Sequence, residues 1–164
     1  MNSLSIGQFT ALDVGVLEYI DIAASVGCQT VSLMVQAPGD QPGVPIITRD
    51  NLAVVKDKLV KTGLQVLNAE CFMLTPATDV KLYRPMVKLA KALGAVGITA
   101  LLYDPDAERV QSNFIQLCEW AAECGLRVNI EFMPLAQQCH SLAETVAFIQ
   151  TLSQSNVGVA LDLL

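Results

Sequence analysis

Three acidic residues, Glu70, Glu131 and Asp162, close short apolar runs in "VLNAE", "VNIE" and "VALD". Each stands at nearly the same interval from a residue that can end a helix. Glu70 lies seven residues after Gly63, Glu131 six after Gly125, and Asp162 six after Asn156. Burying an acid beside apolar strand residues is costly unless a cation or a basic group compensates it. Such an acid can also do no more than cap the next helix or pair with a lysine. For Glu131 and Asp162 the equivalent placement in consecutive repeats favours a shared, cation-directed role. The only histidine, His140, falls in "PLAQQCHSLAE". It stands on the same side of the repeat as the acids, beside a helix cap, and no motif builds a triad on it or on its neighbour Cys139.

A repeat must position these residues. In "AASVGCQTVSLMV", "LVKTGLQVLNAE", "LAKALGAVGITALLY" and "AAECGLRVNIEFM" a helical pattern ends, a glycine follows, and an apolar run begins. The glycines, Gly27, Gly63, Gly94 and Gly125, are spaced by 36, 31 and 31 residues. Glycine just past a helix end takes the left-handed conformation at little steric cost. Asn156 is expected to do the same at the fifth junction.

Helices are expected over about 14–26, 48–62, 80–93, 106–124 and 141–153. Val110, Phe114, Leu117, Cys118 and Ala121 form a 3.6-residue stripe, Ser141-x-x-Glu144 is a capping box, and Thr48 is a candidate N-cap. Pro85 requires a kink or a late start in the third helix. Strands are expected over about 4–10, 30–36, 65–73, 97–103, 127–133 and 157–163. They are near-continuous apolar runs, as in parallel strands covered on both faces. Six such strands and five helices form either a doubly wound sheet, including a flavodoxin-like small-ligand domain, or part of a (β/α)8 TIM barrel. The absence of G-x-G-x-x-G after the first strand, and of a P-loop motif anywhere, weakens the nucleotide-binding sheets.

Composition narrows the chemistry. The 164 residues are 52% hydrophobic and 16% charged, with mean hydropathy +0.46, enough for one core and too apolar for disorder. A net charge of −6 argues against a nucleic-acid partner. No run has membrane-spanning length, and the first residues do not resemble a signal peptide. Five cysteines, none in C-x-x-C spacing, read as reduced thiols of a cytoplasmic protein. Residues 36–50, rich in Gly and Pro, form a long connection suited to a lid over a barrel mouth or to a spacer.

"RVNIEFMP", followed 31 residues later by "VGVALDLL", resembles the sugar phosphate isomerase/epimerase family, the xylose-isomerase-like TIM barrels. The resemblance implies that Glu131 and Asp162 are ligands of a divalent metal. Carboxylate ligation suits Mg²⁺ or Mn²⁺, and an added histidine favours Mn²⁺, Zn²⁺ or Co²⁺. It further implies that Glu131 doubles as a base on a sugar-like hydroxy-carbonyl substrate, with Glu70 and His140 as substrate contacts. The DNA-repair branch of the same fold is disfavoured, because its zinc cluster needs several histidines. The family completes its metal site from the seventh and eighth strands of a barrel of roughly 250 residues. The chain therefore reads as a single barrel domain, 1–164, incomplete at its C-terminus. Its exposed strand edges and inner face lead to an expectation of a homo-oligomer. A non-catalytic fragment or self-assembling module is the alternative.

Overall fold

A computed structural model describes residues 4–39, 41 and 43–161, and within them the repeat becomes a series of βα units. The strands are β1 (Ser5–Gly7), β2 (Thr30–Met34), β3 (Gln65–Leu74), β4 (Gly97–Leu102), β5 (Arg127–Glu131) and β6 (Val157–Ala160). The helices are α1 (Val16–Ser25), α2 (Leu52–Thr62), α3 (Tyr83–Leu93), α4 (Ala107–Glu123) and α5 (Leu142–Gln150). All strands pair in parallel, in the order β1-β2-β3-β4-β5-β6. Doubly wound sheets reverse their strand order at a switch point. This sheet does not, which excludes the flavodoxin-like arrangement. Residues of β1 and β6 line the same cavity, so the sheet curls around a lumen. The six strands are part of a (β/α)8 barrel.

Alternation sorts the strand residues. Ile98, Ala100 and Leu102 of β4, with Val128 and Ile130 of β5, join Phe114 and Leu117 of α4 in the buried shell between sheet and helices. Their neighbours in sequence face the lumen, because successive strand side chains point to opposite faces. In β3 the pairing slips between Ala69 and Phe72. This bulge turns two consecutive residues, Glu70 and Cys71, toward the lumen.

Local chemistry explains the helix limits. Gly27, Gly63, Gly94 and Gly125 all have positive φ, as the repeat requires. The Asp106 carboxylate accepts the Arg109 N–H at 3.0 Å and starts α4. Just before it, buried Asp104 accepts two bonds from the Arg109 guanidinium, at 2.5 and 2.6 Å. That contact holds its carboxyl below the usual carboxylate range. Ser141 Oγ accepts the Glu144 N–H, as a capping box demands, but the Glu144 carboxylate turns to the N–H of His140 at 2.9 Å. Pro85 falls in the first turn of α3, where a missing N–H leaves no helix bond unmade, so the helix starts late without a kink.

Three local expectations are corrected. Thr48 does not cap α2; the N-cap is Asn51, whose side chain accepts the Thr48 N–H at 2.9 Å and thereby closes a turn ahead of the helix. Asn156 is not left-handed; α5 has already ended at Gln150, and Asn156 lies in the turn just before β6. Its amide instead donates to the carbonyls of Cys118 and Leu126, at 3.0 and 3.1 Å, tying β6 to α4 and the start of β5. The first strand is also shorter than expected, because Gln8–Ala11 turns into a 3-10 helix.

The buried Gln8 accepts the Met34 N–H at 2.9 Å and donates to the Pro45 carbonyl at 2.6 Å. It thus joins the end of β1 to β2 and to the connection 36–50. That connection is also held by Ile47, fully buried with its N–H on the Met34 carbonyl at 2.8 Å, and by Gln36, which donates to the Cys71 carbonyl.

Inside the lumen, Asn129 of β5 donates to Asn68 of β3 across β4, at 3.3 Å. Gly97 lies beneath this bridge: a Cβ there would stand 3.1 Å from Asn68 Oδ1, 3.3 Å from Asn129 Nδ2, and 3.1 Å from the Arg127 carbonyl, which is backbone and cannot step aside. Gly97→Ala is expected to destabilise the chain by about 1–3 kcal/mol through overpacking. Urea denaturation, read as a fall in midpoint at unchanged slope, checks it.

Candidate active site

The lumen opens into a cavity of about 670 Å³ at the C-terminal ends of the strands. In barrels of this kind that end carries the active site. Its wall brings together two of the acids singled out in the sequence. Glu131 is the last residue of β5. Glu70 does not end its strand as expected, since β3 continues to Leu74 and Glu70 sits inside it. It reaches the cavity because the bulge turns it inward, paired with Met34 of β2. Asp162 lies outside the described residues. His140 is placed elsewhere: it is exposed at the start of α5, with Nδ1 3.0 Å from Glu144 Oε2, and it does not line the cavity.

The electrostatics follow from this geometry. Burial pushes the Glu70 carboxyl up to about 7; the nearby Glu131 charge adds to the rise, and a hydrogen bond with Ser32 opposes it. Burial also raises the Cys71 thiol to about 12, with Glu70 and Glu131 contributing. The Tyr103 phenol is raised by burial, then by Cys71 and Glu131. Around Glu131 the Cys71 thiol and the Tyr103 phenol are therefore held neutral, and Glu70 keeps its proton in part near pH 7. No Lys, Arg or His occurs among the described residues lining the cavity. Oxygen donors of this kind fit a hard divalent cation. Among the described residues, however, no three His, Cys, Asp or Glu side chains are grouped to hold one.

Several lining residues have no sequence signal of their own. Phe9 follows β1 at the mouth, while Tyr103 and Met133 follow β4 and β5; the Tyr103 hydroxyl donates to the Met133 sulfur. Thr99 of β4 lies deeper. Each is visible only once strand register is known.

A sequentially wound parallel sheet that curls around an acid-lined lumen defines part of a (β/α)8 barrel. The chain belongs to the xylose isomerase-like TIM barrel family, whose model matches residues 20–164. Solved structures agree in fold. A protein from Sinorhizobium meliloti 1021 superposes with TM-score 0.75 at 20% identity, over 97% of this chain and 62% of its own. A xylose isomerase domain protein from Alicyclobacillus acidocaldarius gives 0.71 at 19% identity, over 96% and 62%. D-allulose 3-epimerase from Methylomonas sp., in complex with D-allulose, gives 0.73 at 17% identity, over 94% and 60%. The chain spans about three fifths of the length of these structures. No curated protein matches it in sequence. No helix among the described residues is long and apolar enough to cross a membrane.

The raised Glu70 pKa has a definite sign. Below the ordinary carboxyl value of 4.5, folded and unfolded chains both carry the proton. Between that value and about 7 the unfolded chain releases its proton while the folded chain keeps it, so stability falls as pH rises and then levels off. In the metal-free chain, Glu70→Gln is expected to be stabilising by about 1–3 kcal/mol above pH 7 and near neutral below pH 4.5. Chemical denaturation of both proteins across pH 4–8 checks this.

Proposed function

We propose that the protein is a divalent-metal-dependent isomerase or epimerase of a sugar or related hydroxy-carbonyl compound, with Glu131 and Asp162 as metal ligands. One observation carries the reading: Glu131, at the end of β5, faces a cavity that a second acid, Glu70, enters close enough for mutual repulsion. A cation bound at Glu131 would relieve that repulsion. The barrel mouth is also where the fold places its chemistry.

A divalent ion at this position supplies Lewis-acid polarisation of a carbonyl oxygen. The remaining tasks fall to the chain's own side chains. Glu131 removes the proton from the carbon beside the carbonyl, an acid–base step that needs a carboxylate within hydrogen-bond reach. Glu70, protonated near neutral pH, donates a hydrogen bond to a substrate hydroxyl and thereby orients the chain. Phe9, Leu101 and Met133 exclude water around the reacting carbon, which strengthens each polar contact there.

Calorimetric titration of the metal-stripped chain with Mn²⁺ tests the site. Micromolar binding is expected, with Glu131→Gln and Asp162→Asn each weakening it on the order of 100-fold, because each removes a direct ligand. A silent parent chain, or two variants that titrate like the parent, would remove the metal assignment. With Mn²⁺ present, NMR should show deuterium exchange at the carbon beside the D-allulose carbonyl, and Glu131→Gln should abolish it.

A further inference from the structure

We propose that Thr99 and Glu70 form an inner subsite of the lumen that binds a terminal, uncharged hydroxyl of a polyol chain entering end-on. This deepens the sugar-directed reading above and rests on it. Thr99 lies between Ile98 and Ala100, both in the outer shell, so its own side chain faces the lumen. The residue is 3% exposed, and its hydroxyl has no hydrogen-bond partner. An unsatisfied buried hydroxyl is destabilising, and valine fills the same volume without that cost. The neighbouring amide is already engaged, since Asn129 bonds to Asn68, whereas the Thr99 hydroxyl is without a protein partner. Thr99 is therefore the group left over for a ligand.

Its depth determines what that ligand is. Thr99 pairs with Asn129, two residues before Glu131, so it stands one pleat further into the barrel than the strand-end acid. A molecule that touches both must extend along the barrel axis. Cys71, beside Glu70, and Leu101, one pleat nearer the mouth than Thr99, line the cavity and present no charge, the Cys71 thiol being neutral. Glu70 accepts or donates a hydrogen bond to a hydroxyl, whereas no Lys, Arg or His among the described lining residues would compensate the charge of a phosphate. The end of the substrate that reaches Thr99 is thus a neutral CH₂OH, and a phosphorylated end is rejected from this depth.

The test uses the full chain, Thr99→Val and Thr99→Ser, with ribitol and ribitol 5-phosphate as probes, each titrated calorimetrically with Mn²⁺ measured on the same samples. Thr99→Val is expected to bind ribitol about 10-fold more weakly than the parent, the loss of one hydrogen bond. Thr99→Ser should keep parent-like affinity, and ribitol 5-phosphate should bind at least 10-fold more weakly than ribitol to the parent. Without ligand, Thr99→Val should melt at or above the parent temperature, which separates a lost contact from a lost fold. Equal ribitol affinity in the parent and Thr99→Val, no ribitol binding to the parent, or tighter binding of the phosphate ester would each overturn the subsite, whatever Mn²⁺ does. Thr99-dependent ribitol binding with no Mn²⁺ binding would support the subsite and overturn the metal assignment alone.

Discussion

Parallel pairing in strict chain order is the constraint from which the rest follows. Each helix returns the chain to start a strand beside the last one, so every strand runs the same way and ends at the same rim. Parity then divides each strand between the helical shell and the lumen. Ile130 is buried in the shell and Glu131 faces the cavity because they are adjacent, not because their environments were chosen separately. The bulge in β3 between Ala69 and Phe72 breaks parity, and it brings Glu70 and Cys71 into the cavity together.

The lumen wall is stratified. Deep in the barrel the amides of Asn68 and Asn129 bridge over Gly97, satisfying each other where side chains would otherwise collide. Thr99 stands level with its pair Asn129, and at the mouth comes Glu131, with Phe9, Tyr103 and Met133 around it. Acids in this setting repel one another, and the shift of Glu70 measures that repulsion together with its burial. Asp104 is the contrasting case. It too is buried, but a two-point contact with Arg109 keeps it charged, and it serves the start of α4 rather than a ligand.

Features that repeat locally were legible in the sequence. The glycine junctions, the stripe of α4 and the Ser141 cap are short-range patterns, and each is present. Glu131 was legible for the same reason, as the acid that ends an apolar run. Glu70 was read as a strand end because an apolar run carries no mark for where a bulge falls. Asn156 was assigned by analogy with glycine, but its amide reaches Cys118 and Leu126, contacts that depend on packing α4 against β5 and β6. His140 shared a side of the repeat with the acids, yet the turn into α5 directs it to Glu144. Thr99 was invisible because a threonine in an apolar strand looks like any β-branched residue until register shows which face it is on.

Gln8 anchors the connection at the mouth of the barrel. Its amide oxygen receives Met34 and its amide nitrogen reaches Pro45, so the far anchorage of the 36–50 connection is set by β1 and β2. Ile47 seals the same junction from within the core. The return point of the connection is thus fixed by the barrel wall, and one glutamine amide couples the first two strands to the place where the chain comes back.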